Sequence, residues 1–141
     1  MMDNIFNAWL EQNGLTLAFS TSAGDCVYIN RQKKFGVLKK YDENGAISFY
    51  LDDIVGFETY DDEILVAKWS RSGLWGVEPK GTRYSTSQVY IKMRMCDGRT
   101  ICVTLFKALE KNIDRQSDTH QRLYTYACQM SQCVYNLAVG K

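Results

Sequence analysis

The chain has 141 residues, 45% of them hydrophobic and 23% charged, which is the composition of one globular domain and excludes intrinsic disorder as the overall state. Its formal net charge of +1 excludes recognition of nucleic acid by bulk positive charge, and no nucleic acid is expected as a partner. The charge is uneven: residues 1–70 hold 11 acidic and 6 basic side chains, residues 71–141 hold 5 acidic and 11 basic. That is either an ordinary mixed surface or a molecule with one acidic and one basic face, suited to steering a partner.

The opening Met1-Met2-Asp3-Asn4 is acidic where a secretory leader would be basic, and no apolar region follows it. Runs such as Ile64-Leu65-Val66-Ala67 are far too short to span a membrane, so a cytoplasmic location is expected.

The first predicted element is a short helix over about 4–13. Asp3 is its expected cap, Ile5, Phe6, Trp9 and Leu10 form one face, and Asn13-Gly14 stops it. A β-rich block follows from about 16 to 106. Thr16–Ser20 and Cys26–Asn30 flank the Ala23-Gly24-Asp25 turn. Phe35–Tyr41 and Ala46–Leu51 flank Asp42-Glu43-Asn44-Gly45, and Ile54–Tyr60 and Ile64–Trp69 flank Asp61-Asp62-Glu63. Gln88–Cys96 and Arg99–Phe106 flank Asp97-Gly98, where the dipeptide suits the positive φ angles of a type I′ turn. Within that hairpin Val89, Ile91, Met93 and Met95 alternate with Tyr90, Lys92 and Arg94, the pattern of an antiparallel strand with one solvated face.

Residues 107–116 read as a connector. A long helix then runs from about 117 to 138, with Asp118 and Gln121 spaced as a capping box. Leu123, Ala127, Met130, Val134 and Leu137 make one apolar stripe, flanked by Tyr124, Tyr126 and Tyr135. The stripe is expected to cover an open end or face of the sheet, giving an α+β barrel-like domain capped by a helix.

The chemistry-bearing residues are few. Cys26, Cys96, Cys102, Cys128 and Cys133 include no Cys-x-x-Cys pair and sit among apolar neighbours, as in a reduced protein. With His120 as the lone histidine, neither a zinc site nor a Ser/His/Asp arrangement assembles from sequence; no metal and no cofactor are expected. His120 is expected as a surface imidazole with Asp114 and Asp118 nearby. The carboxylates at Asp42-Glu43 and Asp61-Asp62-Glu63 read as turn residues with local hydrogen bonds.

Two segments suggest binding. Residues 70–87 form a long insert with the one proline, Pro79; Arg71, Trp75, Lys80, Arg83 and Tyr84 supply the aromatic-plus-basic mix of interface hot spots. The bland reading is that Leu74, Trp75 and Val77 form a short extra strand or fold on the core. Separately, Arg31, Lys33, Lys34, Lys39 and Lys40 surround the strand at Phe35 and read either as a solvated hairpin or as a site for anionic headgroups.

The stretch Phe49-Tyr50-Leu51-Asp52-Asp53-Ile54-Val55-Gly56-Phe57-Glu58, the hairpin at Asp97-Gly98, and Tyr124-x-x-Ala127 running into an apolar helix resemble the bacterial pleckstrin-homology-like (PH-like) domains of small uncharacterised proteins. The resemblance covers roughly residues 25–138. It implies an antiparallel barrel or sandwich of about seven strands capped by a C-terminal helix, within a single domain over 1–141. It also implies binding rather than catalysis, and transfers no ligand residue. Where some of those proteins carry a zinc ribbon, this chain has the helix of residues 4–13.

The expected function is therefore a non-enzymatic binding module for a protein partner, an adaptor or inhibitor. The first alternative is a peripheral binder of anionic membrane surfaces. The second is a cysteine-dependent enzyme using Cys26 or His120. A homodimer through a sheet edge or the terminal helix is also compatible with the pattern.

Overall fold

The short helix forms at α1 (Met2–Gln12), where Phe6 and Leu10, one turn apart, face inward and leave Ile5 and Trp9 exposed. It begins at Met2, one residue before the expected cap at Asp3, and the computed structural model describes residues 2–71, 76–77, 85–108, 113–114 and 117–140. Asn13 and Gly14 end it, with their N–H groups donating back to Trp9 and Glu11 carbonyls.

Four five-residue strands follow: β1 (Thr16–Ser20), β2 (Cys26–Asn30), β3 (Phe35–Lys39) and β4 (Ala46–Tyr50). They form an antiparallel meander in chain order. A single 3₁₀ turn, Leu51–Asp53, leads into β5 (Ile54–Asp61), paired with β6 (Ile64–Ser70). The rest are β7 (Gly76–Val77), β8 (Ser85–Thr86), β9 (Gln88–Met95), β10 (Thr100–Lys107) and β11 (Ile113–Asp114). The second sheet has the order β10-β9-β5-β6-β7, and β11 pairs with β8 apart from it.

The architecture is α+β: two antiparallel sheets and a C-terminal helix, α2 (Asp118–Val139). The five predicted apolar positions of α2 are all buried, in one cluster with both sheets that includes Val27, Leu38 and Phe49 from the first and Phe57, Ile91 and Val103 from the second. Trp69 packs there too, edge-on to Tyr135 of α2 at 5.5 Å between ring centres. α1 stands outside this core. Leu10, Leu15 and Val37, with Phe6, Tyr28 and Phe35, make a second cluster on the far side of the first sheet.

The sheets do not close into a barrel through a backbone ladder, since each keeps its own strand order. Side chains of the β1–β2 turn bind the open edge of β10 instead. Thr21 Oγ1 donates to Thr104 O at 2.6 Å and Ser22 Oγ to Leu105 O at 2.7 Å, while Thr104 N–H donates to Asp25 Oδ2 at 2.9 Å. An edge occupied in this way cannot template another strand.

Several local expectations are corrected. Ser117 caps α2, not Asp118: its Oγ accepts from the His120 N–H at 3.1 Å. At the Asp97-Gly98 turn only Gly98 has positive φ, +92°, and its N–H donates to Met95 O; the turn is therefore not type I′. The segment 107–116 is not a plain connector, because Ile113–Asp114 pairs with Ser85–Thr86. Within the long insert Gly76–Val77 adds a short strand beside Ala67–Lys68.

Candidate functional site

Turns in a meander gather at the two ends of its sheet, and here one end carries the β1–β2 turn and the β3–β4 turn side by side. Asp25 joins them. Its carboxylate is 3% exposed and accepts from Lys40 Nζ at 2.7 Å, from Tyr41 N–H at 3.0 Å and from Thr104 N–H. Lys40, 18% exposed, also donates to Cys102 O and Thr104 Oγ1, both at 3.1 Å. A buried charge is tolerable only when paired and hydrogen-bonded, and this pair is both.

That anchor fixes the backbone of Tyr41 and leaves its side chain outside. Tyr41 is 69% exposed, and among the described residues its ring meets no other ring and no cation. The root of the ring rests on Gly24, where an added Cβ would lie 2.7 Å from Tyr41 Cδ1. Two open grooves meet at this ring. The first, about 760 Å³, runs past Ala23, Phe106, Lys107, Ala108 and Ile113. The second, about 610 Å³, runs past Phe6, Asn7, Tyr28, Glu43 and Asn44. An exposed aromatic held on a rigid backbone between concave surfaces has the form of a binding anchor.

Sequence reasoning placed Asp42 and Glu43 in a turn and did not single out Tyr41. The available signal was a large aromatic directly before Asp-Glu-Asn-Gly, where turns normally carry small polar residues.

The residues predicted from sequence scatter. Arg71 is exposed, but its guanidinium is bound to the fold: Nε donates to Ile54 O at 2.8 Å and an Nη to Ala138 O at 2.7 Å, and it lies 5.5 Å from the Trp69 ring centre. It ties the C-terminal end of α2 to β5. Trp75, Lys80, Arg83 and Tyr84 lie outside the described residues.

The five cations around β3 fall into two groups at opposite ends of that strand. Arg31, Lys33 and Lys34 sit in the β2–β3 turn, where Lys34 pairs with exposed Asp52 at 3.3 Å. Lys39 and Lys40 sit at the other end, and the Lys39 amine donates to Lys40 O and Glu43 O. Four residues of β3, Phe35 to Leu38, separate Lys34 from Lys39, which puts the groups roughly 17 Å apart along the extended chain.

His120 is not a free surface imidazole. Its Nε2 lies 2.9 Å from Asp61 Oδ2, the two side chains being 14% and 7% exposed. Asp61 Oδ1 accepts from Thr86 Oγ1 at 2.7 Å. Next to it, Asp62 accepts from Ser87 N–H, Ser87 Oγ and Gln88 N–H. The β5–β6 turn is thus fastened to β8, β9 and α2, where local turn bonds were expected. Cys26 and His120 do not meet: the Cys26 thiol lies 3.8 Å from Gly24 O.

All five cysteines are free. Burial pushes the Cys133 and Cys128 thiols up, the latter against an opposing hydrogen bond with Tyr124. Among the described residues no three His, Cys, Asp or Glu side chains gather to hold a metal ion, and no helix is long and apolar enough to cross a membrane.

No protein-family model, curated protein or solved structure matches the chain.

Proposed function

We propose that the chain is a non-enzymatic, PH-like binding module that engages a protein partner through the surface around Tyr41. One observation carries this reading: an aromatic side chain is 69% exposed although its own N–H is held by a buried carboxylate, and grooves open on both sides of it. Pre-positioned aromatic anchors lose little conformational entropy on binding, so they contribute more affinity than flexible side chains of equal area. Support for the PH-like part is the pair of antiparallel sheets with a helix packed on their shared core. The membrane-surface reading draws less support, because its five cations are divided between two ends of β3 and the amines at one end are engaged by the protein itself.

The test is affinity capture from native lysate with three baits: the parent chain, Tyr41→Ala, and Trp75→Ala/Arg83→Glu. A partner held by the parent and lost by Tyr41→Ala at unchanged Tm is the expected result. A partner lost only by the double variant moves the site into residues 70–87. Capture of nothing by any bait removes the reading, and vesicles containing anionic lipid become the next probe.

A further inference from the structure

The two lysines beside Tyr41 make the sequence look positive there, yet the outward-facing charge has the opposite sign. Lys40 Nζ is turned into the protein onto Asp25, Cys102 O and Thr104 Oγ1. Lys39 Nζ is held by two backbone carbonyls, Lys40 O and Glu43 O. Asp42 and Glu43 are exposed, and among the described residues neither carboxylate has an ion pair or hydrogen bond. Both border the second groove, whose wall beyond them is Asn7, Asn44, the Phe6 and Tyr28 rings, and Lys39 and Lys40; with Lys40 neutralised by Asp25, Asp42 and Glu43 outnumber the one remaining cation, Lys39. The first groove differs: Phe106, Ala108 and Ile113 give it an apolar wall, and once the Asp25–Lys40 pair is set aside its charges are Asp42, which borders both grooves, and Lys107, which balance.

We propose that the second groove seats an arginine or lysine side chain of the partner, against the Tyr41 ring and the Asp42 and Glu43 carboxylates. The adjoining first groove takes an apolar side chain of the same segment. This rests on the reading of Tyr41 as the contact surface. The argument is charge complementarity combined with an available ring. A cation over an aromatic face is attracted by the ring quadrupole, and unpaired carboxylates at the rim add to the attraction. The order of the two side chains follows from the balance of charge: Asp42 and Glu43 exceed Lys39 in the second groove, whereas Asp42 and Lys107 cancel beside the apolar wall of the first. Side chains on one face of an extended segment repeat about every 7 Å, a spacing that lets two of them straddle one ring. The surface is correspondingly poor for phosphate or an anionic headgroup.

The probes are two blocked dipeptides, N-acetyl-leucyl-arginine amide and N-acetyl-leucyl-glutamate amide. Each is titrated at millimolar concentration while the backbone amide signals of Gly24, Tyr41, Glu43 and Ala108 are followed by NMR. The arginyl peptide is expected to move these signals, less so at high salt, and Asp42→Asn/Glu43→Gln is expected to weaken it about fivefold. An equal response to the glutamyl peptide, no response to the arginyl one, or undiminished binding by the double variant overturns the proposal. Adding Asp42→Asn/Glu43→Gln to the capture experiment separates the two claims. If Tyr41→Ala loses the partner and the carboxylate variant keeps it, the contact surface stands and the cation seat falls; if both keep it, both fall.

Discussion

Lys40 and Asp25 meet at 2.7 Å across the end of the first sheet, and the carboxylate they share with two backbone N–H groups is almost fully buried. The contact links the β1–β2 turn, the end of β3 and the edge of β10. It also explains why Lys40, one of a doublet of lysines, adds no free positive charge to the surface.

Removing either partner should therefore have unequal effects. Asp25→Ala leaves Lys40 charged in a largely closed site and orphans the Tyr41 and Thr104 N–H groups. A loss of about 3–5 kcal/mol is expected. Lys40→Met leaves the nearly buried Asp25 carboxylate without its counter-ion but still holding both N–H donors, and should lose about 3 kcal/mol, the low end of that range. Urea titration of the two variants measures the order, and equal losses would contradict it.

Gly24 supports the candidate site from beneath. Its φ is +92°, and a Cβ there would press on the Tyr41 ring. Gly24→Ala should lose roughly 1–2 kcal/mol from the backbone alone. It should also weaken partner capture in molecules that remain folded, because the ring must shift. A variant with lowered Tm and undiminished capture would show that the ring position is immaterial.

The Asp61–His120 contact clamps the first turn of α2 to the end of β5. His120→Ala should lose about 1.5–3 kcal/mol, the range for a hydrogen bond to a charged group. Ser117→Ala, which removes the helix cap, should lose about 1 kcal/mol. In both variants amide exchange should quicken first at the N-terminal turn of α2.

Arg71 separates a fold role from a binding role. Arg71→Ala releases Ala138 O and Ile54 O together, so thermal unfolding should occur at lower temperature. Capture per folded molecule should stay at the parent level. Loss of capture at unchanged Tm would return Arg71 to the interface.

The raised thiols of Cys133 and Cys128 predict a pH profile. A raised pKa means less thiolate at neutral pH, so alkylation of these two should be slower than that of a free thiol in a short peptide. The rate should climb as pH passes through and beyond the ordinary thiol range. Burial of the neutral thiols contributes stability that is whole below the unfolded thiol's pKa and is lost as pH rises from there through the raised folded value. Mass-spectrometric labelling at several pH values checks the order.

Much of the fold was legible because it is local. Val89 through Met95 alternates with period two, and Leu123 to Leu137 recurs at helical spacing, so β9 and α2 lie almost where those periods place them. The sheet order was not legible. That β5 lies between β6 and β9 depends on pairings such as Phe57 with Met93, which no local pattern encodes. The same limit hid the site. Lys40 reads as an exposed cation until Asp25, 15 positions away, is brought beside it, and His120 reads as free until Asp61, 59 positions away, closes on it. Tyr41 became conspicuous only once its backbone partner and its two grooves were in place.

The helix α1 rests on a cluster of its own, apart from the core that joins the two sheets and α2. Two of its residues, Phe6 and Asn7, wall the second groove. That groove is thus walled in part by an element outside the main core, and a local opening of α1 would take Phe6 and Asn7 out of it. Only molecules with α1 docked present the complete groove, so the apparent dissociation constant of any ligand that touches Phe6 is the intrinsic one divided by the docked fraction. A substitution such as Leu10→Ala, remote from Tyr41, would then act on affinity through a population rather than through a contact.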